Sequence, residues 1–273
     1  MASRKTRRQR HNPVKNLLKW LATIIVIMLL AGGAYVGYAI HQAPTITESA
    51  LKANPSPGDN QVYVTYDNIP DDYRNALIST EDRTFETNNG VSLGGVFNLV
   101  VSNIKARFGD GVARGGSSIT QQLVKLTVFS TSKADQTPTR KIQEIYLALQ
   151  LNKTHTKAQI LEYYVNKIYE GHYQYGAQTI AYYYFGKPLS QLTLSQTAII
   201  AGLGQSPSNF DLYSNPELVE KRRNIVLAAM LDNDKINHHE YEDAKATSVT
   251  AGLIPRQKNR DELKFIAVFA YIN

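Results

Sequence analysis

Apolar residues follow two different patterns along this chain. From Trp20 to Ile40 they form a run of 21 residues without a charge. At about 1.5 Å of rise per residue, such a run can cross a hydrocarbon core of roughly 30 Å. Beyond it, apolar positions recur at i, i+3, i+4 and i+7, the period of a helix with one buried face. Ile142, Ile145, Tyr146 and Leu149 make one such stripe, with Thr139 placed to cap its helix. Ile160, Leu161, Tyr164, Val165 and Ile168 make another. Asp71 and Asp72, following Pro70, open a stretch holding Tyr73, Ala76, Leu77 and Phe85. Thr156 with Gln159, and Thr193 with Gln196, fit the capping box. Asn215, Pro216 and Glu217 mark a further start, with proline at the first helical position. Strand-like alternation is confined to residues 61–66, where Val62 and Val64 alternate with Tyr63 and Thr65. The pattern predicts a mainly α-helical domain built around a cleft, behind one transmembrane helix.

Charge gives the long apolar run an address. Arg4, Lys5, Arg7, Arg8, Arg10, Lys15 and Lys19 precede it with no acid among them. This is the positive-inside arrangement, which keeps residues 1–19 cytoplasmic and places everything after Ile40 outside. A cleaved secretory signal has a shorter apolar stretch. Here the run is longer, and Tyr35 and Tyr38 stand near its outer end as an interfacial aromatic pair would, so residues 20–40 read as an uncleaved anchor. Seven of the 30 lysines and arginines lie in that tail, leaving 23 against 23 acids. The net charge of +7 therefore belongs to a membrane-proximal tail and gives no reason to expect nucleic-acid binding.

Pro44, Pro55, Pro57 and Gly58 make residues 41–60 read as a linker. Residues 61–245 are long enough for one domain with a proper core. Residues 246–273 read as a tail, and its apolar ending KFIAVFAYIN resembles the start of an interdomain linker. The absence of cysteine excludes disulfides and thiolate metal sites. No HExxH spacing or GxSxG elbow is present. STSK at 130–133 fits SxxK but has no KTG partner, and reads as chance.

Three short runs place polar side chains among apolar ones: EDRTF at 81–85, RGGSSITQQ at 114–122 and RKIQE at 140–144. Taken alone, Glu81 and Arg83 fit a solvated helix end, and Arg140 with Glu144 an exposed i, i+4 pair worth about 0.2 to 0.5 kcal/mol. The glycines at 109, 111, 115 and 116 suit a loop or a close backbone approach to a ligand. They do not form a Walker loop, since no Gly-Lys-Ser/Thr follows.

Together these runs resemble motifs of the family 51 peptidoglycan glycosyltransferases, and RGGSSITQQ departs from that family's GGSTITQQ only at Ser118. KAQILEYYVNKIYEGHYQYGAQTIAYYYFGK at 157–187 and LTLSQTAIIAGLGQSPSNF at 192–210 extend the match. The resemblance implies a lysozyme-like helical fold and polymerisation of lipid II into β-1,4 glycan strands, with undecaprenyl pyrophosphate leaving. It implies Glu81 as the base for the acceptor hydroxyl and Glu144 as a second carboxylate near the donor diphosphate. Asp82, Ser117, Gln121, Gln122, Lys125, Arg140, Lys141 and Asn166 become candidate substrate-binding residues. Lys125, Arg140 and a Mg²⁺ or Mn²⁺ ion near Glu81 are the candidate cations for the leaving group. Lipid II, the growing strand, the membrane and a cell-wall synthesis complex are the partners implied. The apolar stretch 91–108 is then expected to dip into the outer leaflet, with a buried helix as the alternative.

The chain departs from the family pattern at Asn88, where a histidine is usual, and at Gln136, where an arginine is often found. Gln196 replaces a customary glutamate and Gly204 a customary proline. Two other readings stay open at this point. A degenerate lipid II binder would account for these departures, and a muramidase would share paired carboxylates.

Overall fold

Helix α1 runs unbroken from Pro13 to His41 and is long and apolar enough to cross a membrane. The computed structural model describes residues 13–54, 60–92, 116–130, 132 and 135–256. The glycine-dense approach at 109–115, most of the apolar stretch 91–108 and the ending KFIAVFAYIN lie outside them, as do Thr131 and Lys133 of the STSK run. The apolar side chains of α1 are exposed along its length until Ala39, which is fully buried. There the helix meets the domain: Gln143 donates to the Ala39 carbonyl at 3.0 Å, and the Tyr35 and Thr139 hydroxyls lie 2.7 Å apart.

The segment expected as a linker carries packed structure. Thr47 caps a short helix α2, Glu48–Lys52, and buries Leu51 in the core. Glu48 accepts from Tyr163 at 2.5 Å and meets His155 at 3.1 Å. Those two contacts, with Lys52 beside them, hold the Glu48 carboxyl down at about 2. One apolar side chain and one well-partnered carboxylate are enough to dock a proline-flanked segment whose composition suggests a spacer. The tail also begins later than expected. Val249 is buried, Ile254 donates its N–H to the Tyr184 carbonyl at 2.9 Å, and Tyr213 donates to the Ile254 carbonyl at 3.1 Å.

The remaining helices are α3 (Asp71–Glu81), α4 (Ile119–Val128), α5 (Pro138–Thr154), α6 (Lys157–Lys167), α7 (Ala177–Phe185), α8 (Leu194–Leu203), α9 (Pro216–Asp232) and α10 (His238–Ala246). Capping boxes form at Thr156 with Gln159 and at Thr193 with Gln196, and proline occupies the first turn of α9. Helices α3, α8 and α9 pack into one cluster, and α4 packs against α5 and α6 in another.

The expected strand shrinks to β1, Asn60–Gln61, which pairs in parallel with β2, Gln174–Tyr175. The peptides that follow β1 face helices instead of a strand, and side chains take their N–H groups. Val62 donates to the Thr179 hydroxyl, Val64 to Asn166 Oδ1 and Tyr66 to Glu162, each at 2.8 Å.

Helix α5 corrects two expectations. Its cap is Thr137, not Thr139, because Pro138 suits the first helical position. Its buried face is Arg140, Gln143, Glu144, Leu147, Ala148 and Leu151, while Ile142, Ile145, Tyr146 and Leu149 are only half-buried. The end of α1 and helix α4 both pack on α5, so burial reaches past the apolar stripe and takes in polar side chains that must pair with one another.

Arg223 is fully buried in α9 and finishes the last turn of α10. Its guanidinium donates to the carbonyls of Ala244, Lys245 and Thr247 at 2.9, 3.0 and 2.7 Å, and to Ser195 Oγ at 2.7 Å. Helix C-termini leave such carbonyls unpaired. Arg223→Leu orphans them, and we expect a loss of about 2 to 3 kcal/mol, read from denaturant unfolding.

Candidate active site

Glu81 is the last residue of α3, and the chain leaves the helix at Asp82, whose backbone is no longer helical, with φ −156° and ψ 85°. Asp82 is buried and acts as a hub. One carboxylate oxygen accepts from the Thr84 N–H and hydroxyl at 3.2 and 2.9 Å. The other accepts from Asn88 Nδ2 at 2.9 Å and from the Ile119 N–H at 3.2 Å. That last bond puts a negative charge at the N-terminus of α4, where the helix dipole favours it. Asn88, one of the departures from the family pattern, also receives the Gly90 N–H at 2.9 Å and the Lys157 ammonium at 3.1 Å. It therefore completes the turn that follows Glu81.

The run RGGSSITQQ becomes the entry to α4. Ser118 forms a capping box with Gln121 and donates its hydroxyl to the Gly90 carbonyl at 2.6 Å. Gln121 is thereby turned inward and is 1% exposed. One position on, Gln122 points the other way: its amide nitrogen donates to Glu81 Oε2 at 3.0 Å, and its oxygen accepts from the Tyr164 hydroxyl at 2.9 Å. Glu81 Oε1 lies 3.4 Å from the Arg222 guanidinium, which also donates to the Gly202 carbonyl at 3.0 Å. A bridging glutamine and an arginine from α9 thus orient the carboxylate, and 19% of its side chain stays open to solvent.

Helix α5 supplies the second centre. Glu144 is buried, with Arg140 Nε 3.0 Å from one oxygen and Lys141 Nζ 3.2 Å from the other. Lys141 also donates to Ser117 Oγ at 2.9 Å, which ties this centre to the approach to α4. Arg140 stacks over the Phe129 ring at 5.1 Å. The exposed i, i+4 pair expected here is therefore an almost dry one, where breaking either partner costs far more. Lys125, on the last turn of α4, lies within electrostatic reach of both carboxylates. Burial lowers its pKa, Glu144 and Glu81 oppose the shift, and Arg140 and Lys141 add to it.

Asn166 sits inside the fold and clamps backbone. It donates to the Val64 and Glu162 carbonyls at 2.8 Å each and accepts the Val64 N–H at 2.8 Å. The structure therefore brings Glu81, Gln122, Lys125, Ser117, Lys141, Arg140 and Glu144 into one region. It places Asp82, Gln121 and Asn166 beneath that region as supports. Gln136 is exposed, and Gln196 completes its cap while donating to the Ala251 carbonyl at 3.0 Å. Gly204 lies where a Cβ would come within 2.2 Å of Ile168 Cδ1. Arg222, Tyr164 and Glu170 belong to the same neighbourhood and were not singled out from sequence. The adjacent Arg222 and Arg223, just ahead of the apolar run 225–231, are the signal that could have drawn attention to α9.

Among the described residues no group of three or more His, Asp or Glu side chains is arranged to hold a metal ion. Both oxygens of Glu81 face nitrogen donors, and both oxygens of Glu144 face cations. Among the described residues this donor set does not fit a divalent ion at either carboxylate.

Fold and site define a class: helical domains with an oriented carboxylate beside a cationic cluster, carried behind a helix of membrane-spanning length. A family model described as Transglycosylase matches residues 48–231. Penicillin-binding protein 1A of Streptococcus oralis is 38% identical over 248 residues, covering 86% of this chain and 38% of its own length. Penicillin-binding protein 1A/1B of Bacillus subtilis is 34% identical over 271 residues, 94% of this chain and 29% of its own. Penicillin-binding protein 1A of Escherichia coli is 40% identical over 192 residues, 70% of this chain and 22% of its own. The protein belongs to the transglycosylase family, and it spans well under half the length of these relatives.

Proposed function

We propose that this domain polymerises lipid II into β-1,4 glycan strands at the outer face of the membrane and releases undecaprenyl pyrophosphate. The observation that carries this reading is that Lys125 lies within electrostatic reach of both carboxylates, Glu81 and Glu144, and of the cations Arg140 and Lys141. A sugar hydroxyl is a weak nucleophile until its proton leaves. Glu81, oriented by Gln122 and Arg222, accepts that proton as the hydroxyl oxygen bonds to the anomeric carbon of the donor. The bond from that carbon to the diphosphate breaks on the opposite face, inverting the centre. The electron pair goes to the pyrophosphate, which needs positive charge and no acid. Lys125 and Lys141 supply the charge and Ser117 a hydroxyl donor. Glu144 holds Arg140 and Lys141 in place, so its role is exercised through them.

The basic tail and α1 support a single-pass anchor with the domain outside, where a lipid-linked donor can reach it. Glu144 also bears against the muramidase reading, in which both carboxylates act at the scissile bond: its two oxygens are taken up by Arg140 and Lys141.

The test is incubation of detergent-solubilised protein with labelled lipid II, followed by separation of polymer from monomer. Polymer is expected; binding without polymer, or cleavage of preformed strands, overturns the proposal. Lys125→Met is expected to lower kcat by about 10² to 10³, with a much smaller change in KM, because developing charge is stabilised chiefly in the transition state. Initial rates across a lipid II titration measure both.

A further inference from the structure

Glu170 is the least expected side chain near the site. It is 1% exposed, and neither carboxylate oxygen has a hydrogen-bond partner among the described residues. The groups around it are few and can be named from each element. Helix α3 contributes Glu81 and the buried Tyr73, whose hydroxyl is also without a partner. Helix α6 contributes Tyr164, whose hydroxyl is committed to Gln122. Arg222 of helix α9 acts on Glu81 and Tyr164, and its guanidinium is committed to Glu81 and the Gly202 carbonyl. The end of α8 presents only Gly204, where a Cβ would stand 3.8 Å from Glu170 Oε1. Gln174, whose backbone carbonyl accepts the Glu170 N–H at 3.1 Å, also has a buried amide oxygen without a partner among the described residues. Among the described residues no cation or donor pairs with the Glu170 carboxyl, and its charged neighbour Glu81 has the same sign.

An ionised carboxylate stripped of water and left unpaired is too costly to persist; such a group takes up a proton instead. Two nearby carboxyls without room for two charges behave the same way. Arg222 and Gln122 choose between them, since both serve Glu81 and neither serves Glu170. The pair therefore carries one charge, on the residue that faces solvent.

Resting on the polymerase reading above, we propose that Glu170 is a buried neutral carboxylic acid acting through Glu81 as a positioning residue. While it stays protonated, Glu81 is the sole anion that Arg222 and Gln122 have to hold. When it ionises in alkali, a second negative charge behind Glu81 disrupts that grip and disables the site. Burial, with the Glu81 charge adding to it, lifts the Glu170 pKa well above the ordinary carboxyl range, in keeping with this arrangement.

The consequence for stability has a definite sign. From the ordinary glutamate range upward, the folded chain keeps a proton that the unfolded chain has released. Stability therefore falls as pH rises through that window, until Glu170 ionises in the folded chain as well.

The test compares wild type, Glu170→Gln and Glu170→Leu as full chains in detergent, the leucine variant covering any failure of the glutamine variant to fold. Infrared spectra at neutral pH are expected to show a protonated-carboxyl band in the wild type that both variants lack. Melting temperature should fall less steeply between pH 5 and pH 8 in both variants. At neutral pH the polymerisation rate of Glu170→Gln should stay within about twofold of wild type, while its alkaline fall in activity moves up by about one pH unit or more. That fall then lies where Lys125 gives up its proton. Absence of the carboxyl band, parallel melting slopes, or superimposable alkaline limbs overturns the proposal. If the wild type makes no polymer at any pH, the polymerase reading fails by itself, and the band and the melting slopes still decide the charge state of Glu170.

Discussion

Glu81→Gln is expected to retain the fold and lipid II binding while losing polymerisation by about 10² to 10⁴-fold, the usual contribution of a positioned general base. Glutamine keeps the length and planarity of the side chain, and its single oxygen can still accept from one of the two donors, Gln122 or Arg222. It cannot take a proton from the acceptor hydroxyl. Arg222 loses its anion but keeps the Gly202 carbonyl at 3.0 Å and its place over the Phe210 ring at 6.0 Å, so stability should change by only about 1 kcal/mol. The measurement is the rate of polymer formation beside a thermal melt and a binding titration with the same variant. Polymerisation at the wild-type rate would falsify the assignment of Glu81 as base. A fall in rate accompanied by a collapse of the melt would assign it a structural role instead.

Gly90→Ala is expected to cost about 3 to 5 kcal/mol, combining overpacking with backbone strain. Gly90 has a φ of 101°, a conformation open to glycine and strained for alanine. An added Cβ would stand 2.4 Å from the Ala148 carbonyl oxygen, which belongs to the backbone of α5 and cannot swing aside. The same residue receives the Ser118 hydroxyl that starts α4. Alanine therefore pushes the turn after Glu81 away from both helices that carry the cations. In a domain of this size the loss corresponds to a fall of roughly 10 °C or more in melting temperature. Activity should fall with it even though residue 90 offers no side chain to substrate. An unchanged melt would show that the turn can shift without cost and that the close approach to Ala148 is not a constraint.

Much of this was legible because it is local. A capping box needs only residues three apart, and those at Thr156 and Thr193 form as the sequence predicts. The stripe from Ile160 to Ile168 is buried throughout, and burial extends around α6 to Tyr163, Asn166 and Lys167 as well. The stripe on α5 misled because two neighbours cover that helix, so the apolar residues mark an edge of the buried face and not its centre. Residues 61–66 misled because alternation records burial on one side but cannot say whether strands or helices provide the cover. The site divides in the same way. Glu81, Lys125 and Glu144 were reached through short motifs, whereas Arg222 lies 141 positions from Glu81 in the chain and meets it only through the packing of α9 on α3.

What the sequence by itself determined is the helical class, the membrane-length anchor with its basic flank, and the residue types available for base and cation. Each follows from periodicity, run length or neighbouring side chains, which are short-range properties. Only the tertiary structure decided which polar residues face outward and which hold the frame. Gln121 and Gln122 are adjacent in the chain, yet one is sealed inside a cap and the other bridges Glu81 to Tyr164. A helix turns by about 100° per residue, so neighbours in sequence are assigned opposite surroundings by whatever packs against each side.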